Sequence, residues 1–137
     1  MSKQILNIDS LCSFTDKQQL ATREADTHAF TLFGGARGPG KSYWLRWYSL
    51  RFLLLMASLG MKRVVTVLFC EDYPTLIDRQ VSKMREEFPS FIGEIADRKK
   101  DHGFGFYLKT CGTLRRAPLN PCRIHSVSCS LISSTGN

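Results

Sequence analysis

The sequence predicts an α/β fold, a P-loop NTPase-type parallel sheet flanked by helices and incomplete towards its C-terminal end. Three observations predict it. A short β-favouring run, Ala29 to Phe33, leads into a glycine-rich loop. A long stretch free of proline and glycine follows, from Lys41 to about Leu59. A second β-branched run, Val64 to Phe69, comes after that. Strand, glycine loop, helix, strand and helix in this order form the βαβ pattern of a parallel sheet.

Each element has its own local reason. Thr15 followed by Gln18 fits a capping box, so a helix is expected from Asp16 to about Glu24. Ala29 to Phe33 is apolar and bounded by Gly34-Gly35, which reads as a buried strand. Leu, Met, Ala, Arg and Trp dominate the stretch after Lys41 and favour helix, with Gly60 placed to end it. That helix is apolar on most sides, as expected of one covered by neighbours. Val64 to Phe69 suits a strand buried on both faces. Asp72 and Pro74 mark a further helix start, running to about Phe88, before Pro89. Phe104 to Leu108 is the last strand candidate.

Composition sets bounds on function. The chain has 137 residues, 43% of them apolar and 23% charged, which excludes wholesale disorder, collagen and a coiled-coil rod. The net charge of +7 suggests a polyanion nearby: nucleic acid, nucleotide phosphate or an anionic surface. The densest apolar stretch, Phe52 to Leu59, is far short of the ~20 residues that span a bilayer. The N-terminus has no apolar signal-peptide core, so no membrane role is expected. Five cysteines without C-x-x-C pairing give neither a disulfide framework nor a zinc site, and point to a reducing compartment.

Composition changes near residue 110. All 12 acidic and all 15 aromatic residues lie before it, and the last 28 residues hold three of the five cysteines. Residues 1–109 therefore read as the domain-forming part of the chain, which the glycine loop at residues 35–42 assigns to the N-terminal part of a P-loop ATPase domain. Residues 110–137 read as an atypical tail, disordered or translated out of frame.

The strongest chemical signal is Gly35-Ala36-Arg37-Gly38-Pro39-Gly40-Lys41-Ser42, which satisfies G-x-x-x-x-G-K-[ST] at every fixed position. Glycines let the backbone turn its N–H groups towards phosphate oxygens. The following helix adds the positive end of its dipole. Lys41 would reach the β- and γ-phosphates of ATP, and the Ser42 hydroxyl would hold Mg²⁺. A P-loop also needs an acid at the end of another strand. Glu71-Asp72 is the one candidate, and its order and position fit a helix cap at Asp72 better than a metal ligand.

Beyond the loop, Phe14-Thr15-Asp16-Lys17-Gln18 stands upstream and Tyr73-Pro74-Thr75-Leu76 downstream. Taken together, these segments resemble the N-terminal ATPase domain of the large terminase subunit of tailed bacteriophages. That family carries a glutamine motif upstream, an arginine within its P-loop and a Y-P-x-L element. Asp16 stands where the family often has proline. The resemblance covers about Phe14 to Leu108. It implies that Gln18 contacts adenine, that Arg37 and Lys41, with Gly35, Gly38 and Gly40, hold phosphate, and that Ser42 holds Mg²⁺. It further implies ATP-driven packaging of double-stranded DNA in the cytoplasm of a bacterial host. The partners would be a portal protein and a small terminase subunit, with oligomerisation belonging to the full-length protein. The family's acidic strand, coupling motif and nuclease domain have no counterpart in the sequence, which implies a truncated product, frameshifted near residue 109.

Other residues carry blander readings. His28, His102 and His125 are isolated. Trp44, Trp47 and Tyr48 share one helix face and suit core packing rather than base stacking. Arg98-Lys99-Lys100 reads as a solvated cluster rather than a DNA contact. Two alternatives stand beside the ATPase reading: a nucleotide- or DNA-binding fragment without turnover, and a non-functional remnant. A small P-loop kinase would need an acceptor site and a lid, and the sequence offers neither.

Overall fold

The computed structural model describes residues 11–36, 38, 40–61, 63–98, 103–109 and 123–128. The chain divides into two compact units, Met1–Arg51 and Phe52–Asn137.

In the first unit, helix α1 spans Asp16–Thr27 and opens with the expected capping box. The Gln18 amide donates to Thr15 Oγ1 at 3.4 Å, and the Thr15 amide donates to Gln18 Oε1 at 2.9 Å. Such a cap stabilises a helix by about 1 kcal/mol. Helix α2 spans Lys41–Ser58 and runs across the boundary between the units. Trp44 and Trp47 are buried, as their shared face predicts. Tyr48 stacks on Trp44 with ring centroids 5.2 Å apart. Leu50 and Leu53 are fully buried, each contributing about 1.5–3 kcal/mol. Gly60 ends the helix at φ 77°. Its amide donates to Ala57 O and that of Met61 to Met56 O, the paired bonds of a Schellman motif.

In the second unit, β1 (Val65–Cys70) leads into α3 (Tyr73–Leu76). A π-helical turn over Ile77–Val81 joins α3 to α4 (Ser82–Glu87). Three strands follow: β2 (Gly93–Arg98), β3 (Gly103–Leu108) and β4 (Arg123–Ser128). The sheet order is β1-β4-β3-β2. Among the described residues only β1 and β4 are parallel; β4–β3 and β3–β2 are antiparallel. Phe106 and Tyr107 are buried, and the Phe106 ring meets Phe88 edge-on at 5.1 Å. A Cβ on Gly93 would fall 2.4 Å from the Phe106 ring, so the start of β2 requires glycine.

The fold is therefore mixed α/β, and three expectations change. Ala29 to Phe33 forms no regular element, and among the described residues it joins no strand ladder. Phe30 and Leu32 are 96% and 95% exposed, and only the Phe33 ring finds a partner, Trp44, at 5.3 Å. Its apolar β-favouring residues predict an extended backbone; burial needs a neighbouring strand, which the described residues do not supply. The sheet that forms is mixed rather than parallel and is built after residue 64. Second, β1 is an edge strand, not one buried on both faces: Leu68 is buried, but Val65, Val67 and Phe69 are exposed. Third, residues 123–128 of the expected structureless tail form β4, paired on both sides. Among the described residues no helix is long and apolar enough to cross a membrane.

Candidate functional site

The glycine loop lies within the first unit, between Phe33 and α2. Gly35, Gly38 and Gly40 take φ values of 140°, 101° and 71°. These conformations are closed to most side chains, which accounts for glycine at the motif's fixed positions 35 and 40 and for a further glycine at 38. At its end the chain enters α2 directly: the Trp44 amide donates to Gly40 O at 2.9 Å, closing the first helical turn. The amides of Lys41 and Ser42 lie in that turn, where a helix offers no internal acceptor and its dipole is positive.

Lys41 folds back over the loop. Its Nζ donates to Gly35 O at 2.6 Å and to Ala36 O at 2.7 Å. Both are short, charge-assisted bonds. They hold a positive charge against the loop's own backbone. Ser42 is exposed at the second residue of α2. Arg37 and Pro39 lie outside the described residues.

Gln18 comes to the loop from α1. It is 3% exposed, and its Nε2 donates to Gly40 O at 3.0 Å. The Gly40 carbonyl thus accepts from both Gln18 Nε2 and the Trp44 amide. A Cβ at position 40 would stand 2.6 Å from Gln18 Nε2. The contact therefore relies on glycine twice, for its φ and for the close approach.

Three further bonds tie α1 to α2. Trp44 Nε1 donates to Thr22 Oγ1 at 2.9 Å, and Thr22 Oγ1 donates to Gln18 O at 2.9 Å. Tyr48 Oη donates to Asp26 Oδ1 at 3.1 Å, and Arg51 Nη1 reaches the same oxygen at 3.1 Å. Residues 18, 22 and 26 thus meet 40, 44 and 48, each pair 22 positions apart. Because both numbers rise together, α1 and α2 run in the same direction. Burial raises the Tyr48 phenol above its ordinary value, and its bond to Asp26 adds to the shift. Polar residues at every fourth position of α1 are visible in the sequence, but nothing in one sequence names their partners.

Other candidates separate from this site. The Asp72 carboxylate accepts the Thr75 amide at 2.7 Å and caps α3, with Pro74 in the first turn. That bond holds its carboxyl below the usual range. Asp72 is thus the helix cap its position suggests. His28 forms the C-cap of α1 beside Glu24. His102, Lys99 and Lys100, and His125 as a side chain, lie outside the described residues. A pocket of about 330 Å³ is lined by Cys12, Phe14, Gln19, Thr22 and Arg51, none of which belongs to the loop. Among the described residues no group of three or more His, Cys, Asp or Glu converges as a metal site.

No protein-family model, curated protein or solved structure matches this chain.

Proposed function

We propose that this chain is the nucleotide-phosphate-binding part of a P-loop ATPase of the kind that drives double-stranded DNA into viral capsids. The observation that carries the reading is the Lys41 ammonium held 2.6 and 2.7 Å from loop carbonyls, where the loop enters a helix. The donor set fits a triphosphate: a cation, first-turn amides and three glycines at positive φ. The ligand would be ATP with Mg²⁺. Lys41, Arg37 and the loop amides would hold phosphate, and the Ser42 hydroxyl would hold the ion. Bound Mg²⁺ would neutralise charge on the β- and γ-oxygens.

The DNA-packaging assignment rests on the terminase resemblance: Gln18 upstream, Arg37 within the loop, and Tyr73-Pro74, which opens α3. In this reading Ala29 to Phe33 is the strand of a parallel P-loop sheet whose neighbours come from elsewhere in a longer protein. Portal protein and small terminase subunit would be the partners of that longer protein, in the cytoplasm of the bacterial host.

A second reading, binding without turnover, is favoured by Asp72: of the two acids that follow β1, the aspartate is committed to a helix cap. Equilibrium binding and steady-state hydrolysis of ATP separate the two. Binding that Lys41→Ala weakens supports the nucleotide site. Turnover several orders of magnitude below ordinary ATPase rates supports the second reading. No ATP binding by the wild-type chain overturns both.

A further inference from the structure

We infer that Gln18 is a positioning residue for the phosphate loop, acting through the Gly40 carbonyl rather than by reading a base. The inference rests on the proposed phosphate site. Its geometric ground is independent of any ligand. Gln18 is buried, and both ends of its amide are engaged: Oε1 accepts the Thr15 amide, and Nε2 donates to Gly40 O. The Gly40 carbonyl belongs to the peptide whose nitrogen is the Lys41 amide. Fixing that carbonyl fixes the plane of the peptide and aims the first amide of α2. The same carbonyl closes the first turn of α2 through the Trp44 amide. One side chain therefore links the capping box of α1 to the peptide that orients both Lys41 and its N–H. Thr22 supports this link from below, since its hydroxyl donates to the Gln18 carbonyl while accepting from Trp44. The absent side chain at Gly40 completes the arrangement, because any Cβ there would displace Gln18 Nε2.

The consequence is a specific pattern of loss. A residue that reads adenine affects ATP and leaves a base-free polyphosphate untouched. A residue that aims the loop affects both equally. The test uses the full chain and two probes, Mg-ATP and inorganic tripolyphosphate with Mg²⁺. Gln18→Met removes both amide bonds at near-constant volume. Gln18→Glu removes the donor to Gly40 but keeps the acceptor for Thr15, so α1 keeps its cap. Thr15→Ala removes the cap hydroxyl and leaves the Gly40 bond in place.

The expected result is a loss of about tenfold for both probes in Gln18→Met, the cost of one good hydrogen bond. The ratio of the two affinities should stay constant. Gln18→Glu should weaken both probes as well. Thr15→Ala should lower the melting temperature and leave both affinities unchanged. In the ligand-free chain, the Lys41 amide nitrogen resonance should move in both Gln18 variants and stay in Thr15→Ala. A loss confined to ATP, or an unmoved Lys41 amide, overturns the inference. If the wild-type chain binds neither probe, the proposed phosphate site falls and the positioning role falls with it. A moved Lys41 amide would then record the Gln18–Gly40 contact as loop-shaping alone.

Discussion

Gln18 and Gly40, 22 positions apart, meet at 3.0 Å where the cap of one helix touches the end of a glycine loop. Neither residue suffices alone. A longer side chain at position 40 would collide with the amide, and a side chain without a donor at position 18 would leave the carbonyl to Trp44 alone. The loop's shape is thus set partly by a residue well outside the motif that defines it.

The middle bond between α1 and α2 should be the most sensitive to loss. Thr22→Val keeps shape but removes the acceptor for the Trp44 indole N–H, whose residue is only 6% exposed. An orphaned buried donor costs about 1–3 kcal/mol. Chemical denaturation should show that loss, and Thr22→Ser should recover most of it.

Tyr48 supplies a pH signature. Burial first, and the bond to Asp26 second, raise its phenol above 10.0. A raised folded value means that the contribution is complete below the ordinary tyrosine range. It is lost as pH rises through the folded value. The phenol resonances of Tyr48 should therefore titrate late, and Asp26→Asn should move them back towards the ordinary range. An unchanged late titration in Asp26→Asn would remove Asp26 from the account.

Asp72 supplies the opposite signature. The Thr75 backbone N–H, and then the Thr75 side chain, depress its carboxyl below 3.8. A depressed folded value means that the capping contribution is present above the ordinary carboxylate range. It is lost as pH falls through the folded value. The Thr75 amide should lose protection, measured against its intrinsic exchange rate, at the acid end, and Asp72→Asn should flatten that dependence. No pH dependence in the wild-type chain would show that Asp72 does not cap the helix.

Residues 123–128 should be protected from amide exchange, because β4 is paired with β1 on one side and β3 on the other. This replaces the expectation that residues 110–137 are disordered throughout. Protection there would also count against a shifted reading frame near residue 109. Exchange as fast as in an unfolded peptide would remove β4 from the sheet.

Much of this was legible in the sequence where the cause is local. The Thr15–Gln18 capping box, the Asp72 cap, the Gly60 stop and the burial of Trp44 and Trp47 each follow from residues within one or two turns. Elements decided by distant pairing were not legible. Gly93 to Arg98 holds glycine, glutamate, alanine and aspartate, and forms β2 because β3 lies beside it. Arg123 to Ser128 forms β4 for the same reason. Conversely, Ala29 to Phe33 has strand composition but no ladder. In the site, the motif located the loop and its lysine, while the Gly40 contact of Gln18 and the Thr22–Trp44 and Asp26–Tyr48 pairs depended on how two helices align.

The most direct test of the phosphate site is an amide chemical-shift map of the wild-type chain titrated with inorganic tripolyphosphate and Mg²⁺. The account predicts saturable shifts centred on residues 35–42 and the first turn of α2, and their loss in Lys41→Ala. Shifts scattered over the basic surface, or saturable shifts that survive Lys41→Ala, would contradict it.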